Sequence, residues 1–257
     1  MNTLINLQGK RGLVVGIANR QSIAWACAQA LREGGAELGI TWLNDKARPH
    51  VEPLAQELGA SLCLPLDVED DAQLAAVFDA IAQQWGQLDF LLHSIAFAPK
   101  DDLHGRVVDC SRDGFARAMD VSCHSLLRMA RLAEPLMVKG GSIITMSYLG
   151  AEEVIPQYGM MGPVKAALEA ATRYLAVELG AKGIRVNAIS PGPLSTRAAS
   201  GIAHFDQLLQ DANQRAPLHR PVGIADVGPL CAFLASDAGR AITGGTLYVD
   251  GGLHLLN

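Results

Sequence analysis

Short apolar segments alternate with segments of helical spacing along the whole chain, and this alternation restricts the possible folds most strongly. Stretches such as "RGLVVG" (11–16) and "LDFLLHS" (88–94) are apolar almost throughout. Strands of that kind are buried on both faces, as in parallel sheets. Because the connections are short, the pattern predicts an α/β fold: a doubly wound parallel sheet of about seven strands with helices on both faces.

The same patterns place the individual elements. Strands are predicted at 11–16, 36–43, 61–68, 88–94, 141–147, 183–190 and 245–252. Helices are predicted at 22–35, 47–58, 71–86, 113–138, 164–180 and 226–236. The 257 residues contain no repeat or linker and are expected to form a single domain, 1–257. The irregular stretch at 191–222 is long enough for a functional loop.

Composition argues against several classes of partner. The net charge is -5 and no long basic run occurs, so we do not expect nucleic-acid binding. No stretch approaches the ~20 apolar residues of a membrane span, and the N-terminus does not resemble an export signal. The five cysteines show no CxxC spacing, which predicts reduced thiols and a cytoplasmic location. The seven histidines form no ligand motif, so no metal is expected.

Ligands of doubly wound sheets bind at the carboxyl ends of the strands, so the residues that follow each strand are candidates. After the first strand, Gly16 supplies a turn, but the usual GxGxxG series is absent. Ser22 stands at the predicted helix start, where its hydroxyl would cap the helix or bind a phosphate oxygen. Alone, this motif fits an ordinary crossover helix equally well.

Two further strand ends carry residues suited to a dinucleotide. Asp67 would accept a hydrogen bond from an adenine amino group, or would serve only as a turn residue. Ser94 and Ala96 are small enough for the close approach of a flat ring, or for a tightly packed corner. Contacts offered by several strand ends together favour a binding site.

The segment "YGMMGPVK" places Tyr158 and Lys165 seven positions apart. If a helix runs through both, they lie two turns and ~10 Å apart on one face. A positive charge there would favour a phenol that donates to a developing oxyanion. Pro163 leaves two possibilities, a helix that starts near it or a kinked helix. A core tyrosine and a surface lysine at chance spacing remain the alternative.

These motifs together resemble the short-chain dehydrogenase/reductase superfamily, and within it the bacterial NADH-dependent enoyl-acyl-carrier-protein reductases. The resemblance covers essentially the whole chain. It is carried by the stretches "GIANRQSIAWA", "HSIAFAPK", "SYLGAEEVIPQYGMMGPVK", "RVNAISPGPLSTRAASGI" and "VDGG". Met161 stands where the superfamily's Tyr-x-x-x-Lys pattern has its tyrosine. The six-residue gap between Tyr158 and Lys165, with Tyr148 upstream, is similar to the enoyl reductase pattern.

The resemblance implies a dinucleotide-binding Rossmann-type domain and a reaction. NADH would reduce the carbon–carbon double bond of a trans-2-enoyl thioester on acyl carrier protein, the last reductive step of fatty acid elongation. Tyr158 would donate to the enolate oxygen, Lys165 would hold the nicotinamide ribose, and Tyr148 would line the pocket. Ala98, Tyr148 and Tyr158 would contact the substrate, and the segment at about 191–216 would cover it. The implied cofactor contacts are Gly16, Ser22, Ile23, Leu43, Asp67, Val68, Ser94, Ile95, Lys165, Leu194, Ser195, Thr196, Arg197 and Ala198.

The choice of cofactor follows from the end of the second strand. Leu43 stands where some relatives contact the adenosine ribose. Neither 43 nor 44 is an Arg or Lys that would meet a 2′-phosphate, so NADH is favoured over NADPH. Lys46 and Arg48 are near enough to leave NADPH open.

The oligomeric state and two other functions are open at this point. The helices at 113–138 and 157–180 are apolar on more than one face. The resemblance implies that such helices pack in pairs across two-fold axes and that the final strand makes another contact, so a homotetramer is expected. The chain could instead be another short-chain enzyme that reduces a ketone or hydroxyacyl substrate, although it lacks a tyrosine at 161. It could also bind NADH without catalysis as a sensor or scaffold.

Overall fold

Seven parallel strands form one sheet in the computed structural model, which describes residues 5–196 and 205–256. The strands are β1 Arg11–Val15, β2 Glu37–Trp42, β3 Leu62–Pro65, β4 Phe90–His93, β5 Gly141–Met146, β6 Ile184–Pro191 and β7 Thr246–Val249. Their order is β3-β2-β1-β4-β5-β6-β7, and every neighbouring pair is parallel. The direction of winding reverses between β1 and β4, as in the predicted doubly wound fold.

Helices cover both faces of this sheet. The α-helices are α1 Ile23–Glu33, α2 Arg48–Glu57, α3 Asp71–Trp85, α4 Lys100–Leu103, α5 Arg112–Met119, α6 Ser125–Ala133, α7 Met161–Gly180, α8 Phe205–Arg215 and α9 Ile224–Ala235. Residues of α1, α2 and α9 form one core with the sheet, and residues of α3, α6 and α7 form the other.

Successive residues of the central strands enter opposite cores. Val14 packs on the side of α1, whereas Leu13 and Val15 pack on the side of α3. Such a strand needs an apolar side chain at every position, which explains the unbroken apolar runs. The predicted α/β class and strand set are confirmed, with ends that shift by a few residues.

One predicted helix is interrupted. The spacing over 113–138 predicts a single long helix, but the structure has α5, a π-helical turn at Asp120–His124, and then α6. Within this region the hydroxyl of Ser125 donates to the carbonyl oxygen of Val121 at 2.6 Å. A serine that bonds a carbonyl one turn back competes with the regular ladder, and the apolar spacing does not register it.

The carboxyl ends of β1 and β4 meet very closely where the winding reverses. Gly16 follows β1 with a φ of +114°, and a Cβ at this position would lie 2.0 Å from the carbonyl oxygen of Ser94. The N–H of Ser94 in turn donates to the carbonyl oxygen of Val15 at 2.9 Å. Glycine is therefore required both by the backbone angle and by the space.

We expect Gly16→Ala to lower the free energy of unfolding by about 2 kcal/mol or more, because the strained backbone and the clash add. Gly180→Ala is the matched control, since an added Cβ there meets no atom within 4 Å. Its effect should stay within about 1 kcal/mol. Urea unfolding of the two variants measures the difference, and equal stabilities would contradict the assigned role of Gly16.

Candidate active site

The loop after β1 is folded by the Ser22 hydroxyl. Ser22 Oγ accepts hydrogen bonds from the N–H groups of Ala18 at 3.0 Å and Asn19 at 3.1 Å. Ser22 occupies the N-cap position of α1 but makes no side-chain hydrogen bond to the helix, so the predicted helix cap is wrong. No side chain caps α1, and its first turn holds no acidic residue. Together with the missing side chain at Gly16, this arrangement fits the pyrophosphate of a dinucleotide.

The ends of β2 and β3 would face the adenosine half. Leu43 is 52% exposed, and Val68 is buried in the same apolar cluster that Ile95 joins. Asp67 Oδ1 accepts from the N–H of Glu69 at 3.0 Å, so the carboxylate does serve as a turn residue. Its contact with an adenine remains a prediction.

Tyr148, Tyr158 and Ala98 are brought together in one apolar cluster at the carboxyl edge of the sheet. The two tyrosine rings lie 4.8 Å apart, centroid to centroid, and cross at 61°. Gly150 provides the space, because a Cβ there would lie 2.4 Å from Cδ1 of Tyr158. The three residues expected to contact the substrate thus belong to one cluster.

Burial extends the pH range over which both phenols are neutral. It raises the pKa of Tyr148 to about 12. The pKa of Tyr158 is raised further, first by burial and then by the nearby Tyr148 and Glu169. A phenol in such surroundings donates a hydrogen bond and does not ionise near neutral pH.

Tyr158 does not lie on the helix that carries Lys165. Helix α7 begins at Met161, and Tyr158 precedes it between Gln157, with φ 66°, and Gly159, with φ 55°. Pro163 falls in the first turn, where a missing N–H removes no helical hydrogen bond. The two-turn, one-face placement of Tyr158 and Lys165 is therefore wrong, and the helix starts near Pro163 without a kink.

Lys165 is a buried cation, and its side chain is not on the surface. Only 4% of the residue is exposed, and Nζ donates to the carbonyl oxygen of Met146 at 2.7 Å. Burial lowers its pKa from 10.5 to about 8, while the nearby Cys123 and Glu169 act in the opposite direction. The ammonium group therefore lies beneath the carboxyl end of β5.

Comparison with known proteins identifies the family. Residues 16–254 match the model of a family described as enoyl-(acyl-carrier-protein) reductase. The chain belongs to this family. A relative from Rhizobium meliloti (strain 1021), enoyl-[acyl-carrier-protein] reductase [NADH] 1, is 52% identical over 96% of this chain and 91% of its own length.

Solved structures of such reductases have the same fold. The enzyme from Anaplasma phagocytophilum in complex with NAD superposes with a TM-score of 0.94 at 46% identity, over 98% of this chain and 96% of that one. The Bacillus cereus enzyme with NADP+ and indole naphthyridinone gives a TM-score of 0.96 at 45% identity, over 98% of both chains.

The loop after β6 is described only in part. Leu194 is buried, Ser195 is exposed, and the N–H of Thr196 donates to the carbonyl oxygen of Leu194 at 2.8 Å. Arg197 and Ala198 lie outside the described residues. The part of the segment 191–216 that follows them includes α8.

Sequence reasoning missed several buried polar residues of this reductase. The Ser147 hydroxyl donates to Glu169, whose pKa is raised chiefly by burial. Glu169 and Thr172 follow the predicted Lys165 on α7 at intervals of four and three residues, and all three are buried. Their helical spacing from Lys165, on an otherwise apolar face, would have revealed Glu169 and Thr172.

Neither a metal-binding cluster nor a membrane-spanning helix is found among the residues that the structure describes. Over 5–196 and 205–256, no group of His, Cys, Asp and Glu has an arrangement that would hold a metal ion. Within the same ranges, no helix has the length and hydropathy that a membrane crossing requires.

The lowered pKa of Lys165 has a consequence for stability. Between pH 8 and 10.5 the unfolded chain binds the proton that folded Lys165 has released, so the free energy of unfolding should rise with pH. We expect wild type to gain roughly 3 kcal/mol relative to Lys165→Met across this range, with no relative change below it. Denaturant unfolding of both proteins at stepped pH measures this, and parallel curves would refute it.

Proposed function

We propose that the chain reduces the carbon–carbon double bond of trans-2-enoyl-acyl-carrier-protein thioesters with NADH, the last reductive step of fatty acid elongation. Membership of the reductase family supports this reaction. The observation that carries it is the pair of neutral phenols, the buried Tyr158 and the partly buried Tyr148, packed in one cluster with Ala98.

In the proposed reaction, side chains of this protein stabilise the negative charge that develops on the substrate. A bound nicotinamide would supply the hydride for the β-carbon. Negative charge would then develop on the thioester oxygen until a proton adds to the α-carbon and completes the reduction. Tyr158 donates its phenolic hydrogen bond to that oxygen, and its raised pKa keeps the phenol protonated throughout. The apolar surroundings strengthen the bond because little water competes.

Lys165 and Tyr148 have supporting roles. Lys165 is held by the carbonyl of Met146 and keeps further N–H donors for the ribose hydroxyls. Its positive charge also favours the developing enolate. Tyr148 packs its ring against Tyr158 and fixes the direction of that phenol. The remaining cofactor contacts are those named from the sequence.

NADH is favoured over NADPH by the groups near the adenosine end. Arg48 lies over the Trp42 ring, 5.4 Å from its centroid, and its Nε donates to Glu52 at 2.6 Å. These two contacts engage the guanidinium of Arg48 with side chains of its own chain. The Bacillus cereus relative crystallised with NADP+ makes the comparison of the two cofactors worthwhile.

The assay is the oxidation of NADH or NADPH in the presence of crotonyl thioester, followed by absorbance. Turnover with NADH exceeding that with NADPH is the expected result. Ketone and hydroxyacyl substrates are tested beside it. Turnover on those alone would favour the other short-chain reductases, and NADH binding without any turnover would favour a sensor.

Removal of the Tyr158 hydroxyl should lower turnover by about 10²–10³ and change NADH affinity little, because the contact strengthens only as charge develops. Tyr148→Phe should have the smaller effect on turnover. Lys165→Ala should weaken NADH binding directly. Turnover and NADH affinity are measured for all three variants, and a Tyr148→Phe enzyme slower than Tyr158→Phe would reverse the two assignments.

The homotetramer remains a proposal, supported by apolar side chains that α5, α6 and α7 expose. They are Phe115, Leu127, Tyr174 and Val177. Tyr174 and Val177 are 73% and 82% exposed and lie three residues apart, hence on one face of α7. The half-buried strand β7 forms an edge of the sheet and would join a second two-fold contact.

Light scattering should give the mass of four chains for wild type. Val177→Glu should lower that mass, because it places a charge on the proposed two-fold face. Val154→Glu is the matched control, as Val154 is 99% exposed and lies outside these helices. A monomer at every concentration, or equal masses for the two variants, would count against the proposed interface.

We infer the domain organisation from the resemblance to the reductases and the cellular location from the state of the cysteines. The chain forms one reductase domain, with the segment at about 191–216 over the substrate. The five cysteines are all free thiols, which suits the reducing cytoplasm. Cell fractionation with an antibody to the native protein would test the location.

A further inference from the structure

The hydroxyl of a buried serine binds both the N–H and the carbonyl group of a single residue in the loop that follows β4. Ser122 has no exposed surface and lies in the π-helical turn at Asp120–His124. Its Oγ accepts from the N–H of Phe97 at 2.9 Å and donates to the carbonyl oxygen of Phe97 at 3.0 Å. Phe97 stands between Ile95 and Ala98, the residues assigned to cofactor and substrate.

A chain of hydrogen bonds fixes the π-helical turn itself. Ser125 Oγ donates its only proton to the carbonyl oxygen of Val121 and so accepts from His93 Nε2–H at 2.8 Å. His93 Nδ1 must then accept from Thr145 Oγ1 at 2.9 Å. Burial, with a smaller contribution from the Lys165 charge, lowers the pKa of His93 to about 3, so the ring stays neutral.

This chain places the turn relative to the sheet. His93 ends β4 and Thr145 lies in β5, so the two central strands and the turn form one connected unit. The side chains of His93, Thr145 and Ser125 are all fully buried. A fully satisfied buried network of this kind rigidifies the elements that it joins.

The other contacts of Phe97 are weaker. The guanidinium of Arg117 lies 4.8 Å from the centroid of its ring and is held by Glu69 through two hydrogen bonds of 2.8 Å. Phe97 is 39% exposed, and the ion pair lies at the surface, where such pairs contribute little. The Ser122 hydroxyl therefore provides the buried polar anchor of this loop.

We infer that Ser122 is a positioning residue of the reductase: its hydroxyl holds the backbone of Phe97 and thereby sets where Ile95 and Ala98 present the cofactor and acyl surfaces. Ser122 touches neither ligand in this assignment. The inference rests on the proposed function, because the two neighbours take their roles from it.

The test compares Ser122→Ala with Ser142→Ala. Ser142 is also a fully buried serine that donates to a carbonyl oxygen, that of Leu234 at 2.9 Å, but it lies near the amino end of β5. Both variants should lose similar thermal stability. Ser122→Ala alone should raise KM for crotonyl thioester about tenfold, with kcat lowered less than threefold, since the Tyr158 donor is retained. Ser122→Cys keeps a weak donor and should lie between wild type and Ser122→Ala.

A second measurement needs no turnover. In the cofactor-free protein, hydrogen exchange at the Phe97 amide should accelerate in Ser122→Ala and Ser122→Cys and stay unchanged in Ser142→Ala. Equal KM values for Ser122→Ala and Ser142→Ala, or unchanged Phe97 exchange, would overturn the inference. If wild type fails to reduce crotonyl thioester, the proposed function fails. The exchange comparison still decides whether the Ser122 hydroxyl holds the Phe97 backbone.

Discussion

The close approach of β1 and β4 at their carboxyl ends is the constraint on which the rest of the structure depends. Gly16 and Ser94 come so near that no side chain fits between them. That contact brings the first loop, with its uncapped helix, beside the loop that carries Ile95 and Ala98. A dinucleotide laid across the sheet at this point would be bounded by two backbones in direct contact, and its position would depend little on side-chain rotamers.

The chemistry then depends on two opposite effects of one apolar environment. Burial makes the tyrosines weaker acids and the lysine a stronger one. Both effects suit the proposed reaction, because a phenol that stays protonated remains a hydrogen-bond donor over a wide range of pH, and an ammonium group with few water contacts would have N–H donors left for ribose hydroxyls. The Met146 carbonyl offsets part of the cost of burying that charge.

Much of the fold could be read from the sequence, since two-sided burial of the strands leaves an unmistakable apolar pattern. The site was harder to place. The start of α7 depends on left-handed backbone at Gln157, and a glutamine gives no sequence signal for that conformation. The π-helical turn depends on hydroxyl groups that donate to carbonyl oxygens, and the spacing of apolar residues does not predict these hydrogen bonds. Ser22 was found as a polar residue at a helix start, but its hydroxyl folds the loop and leaves the helix uncapped.

The start of α7 at Met161 places the two residues proposed as a catalytic pair on different segments. Lys165 is carried by a helix packed on the sheet, whereas Tyr158 is carried by the connecting segment before it, flanked by left-handed residues. If Tyr158 is the donor that we propose, insertions or substitutions in that connection would change where its hydroxyl reaches, while Lys165 would keep its position on the helix. A fold that carries these two residues on separate segments could accept different substrates without changes to its dinucleotide site.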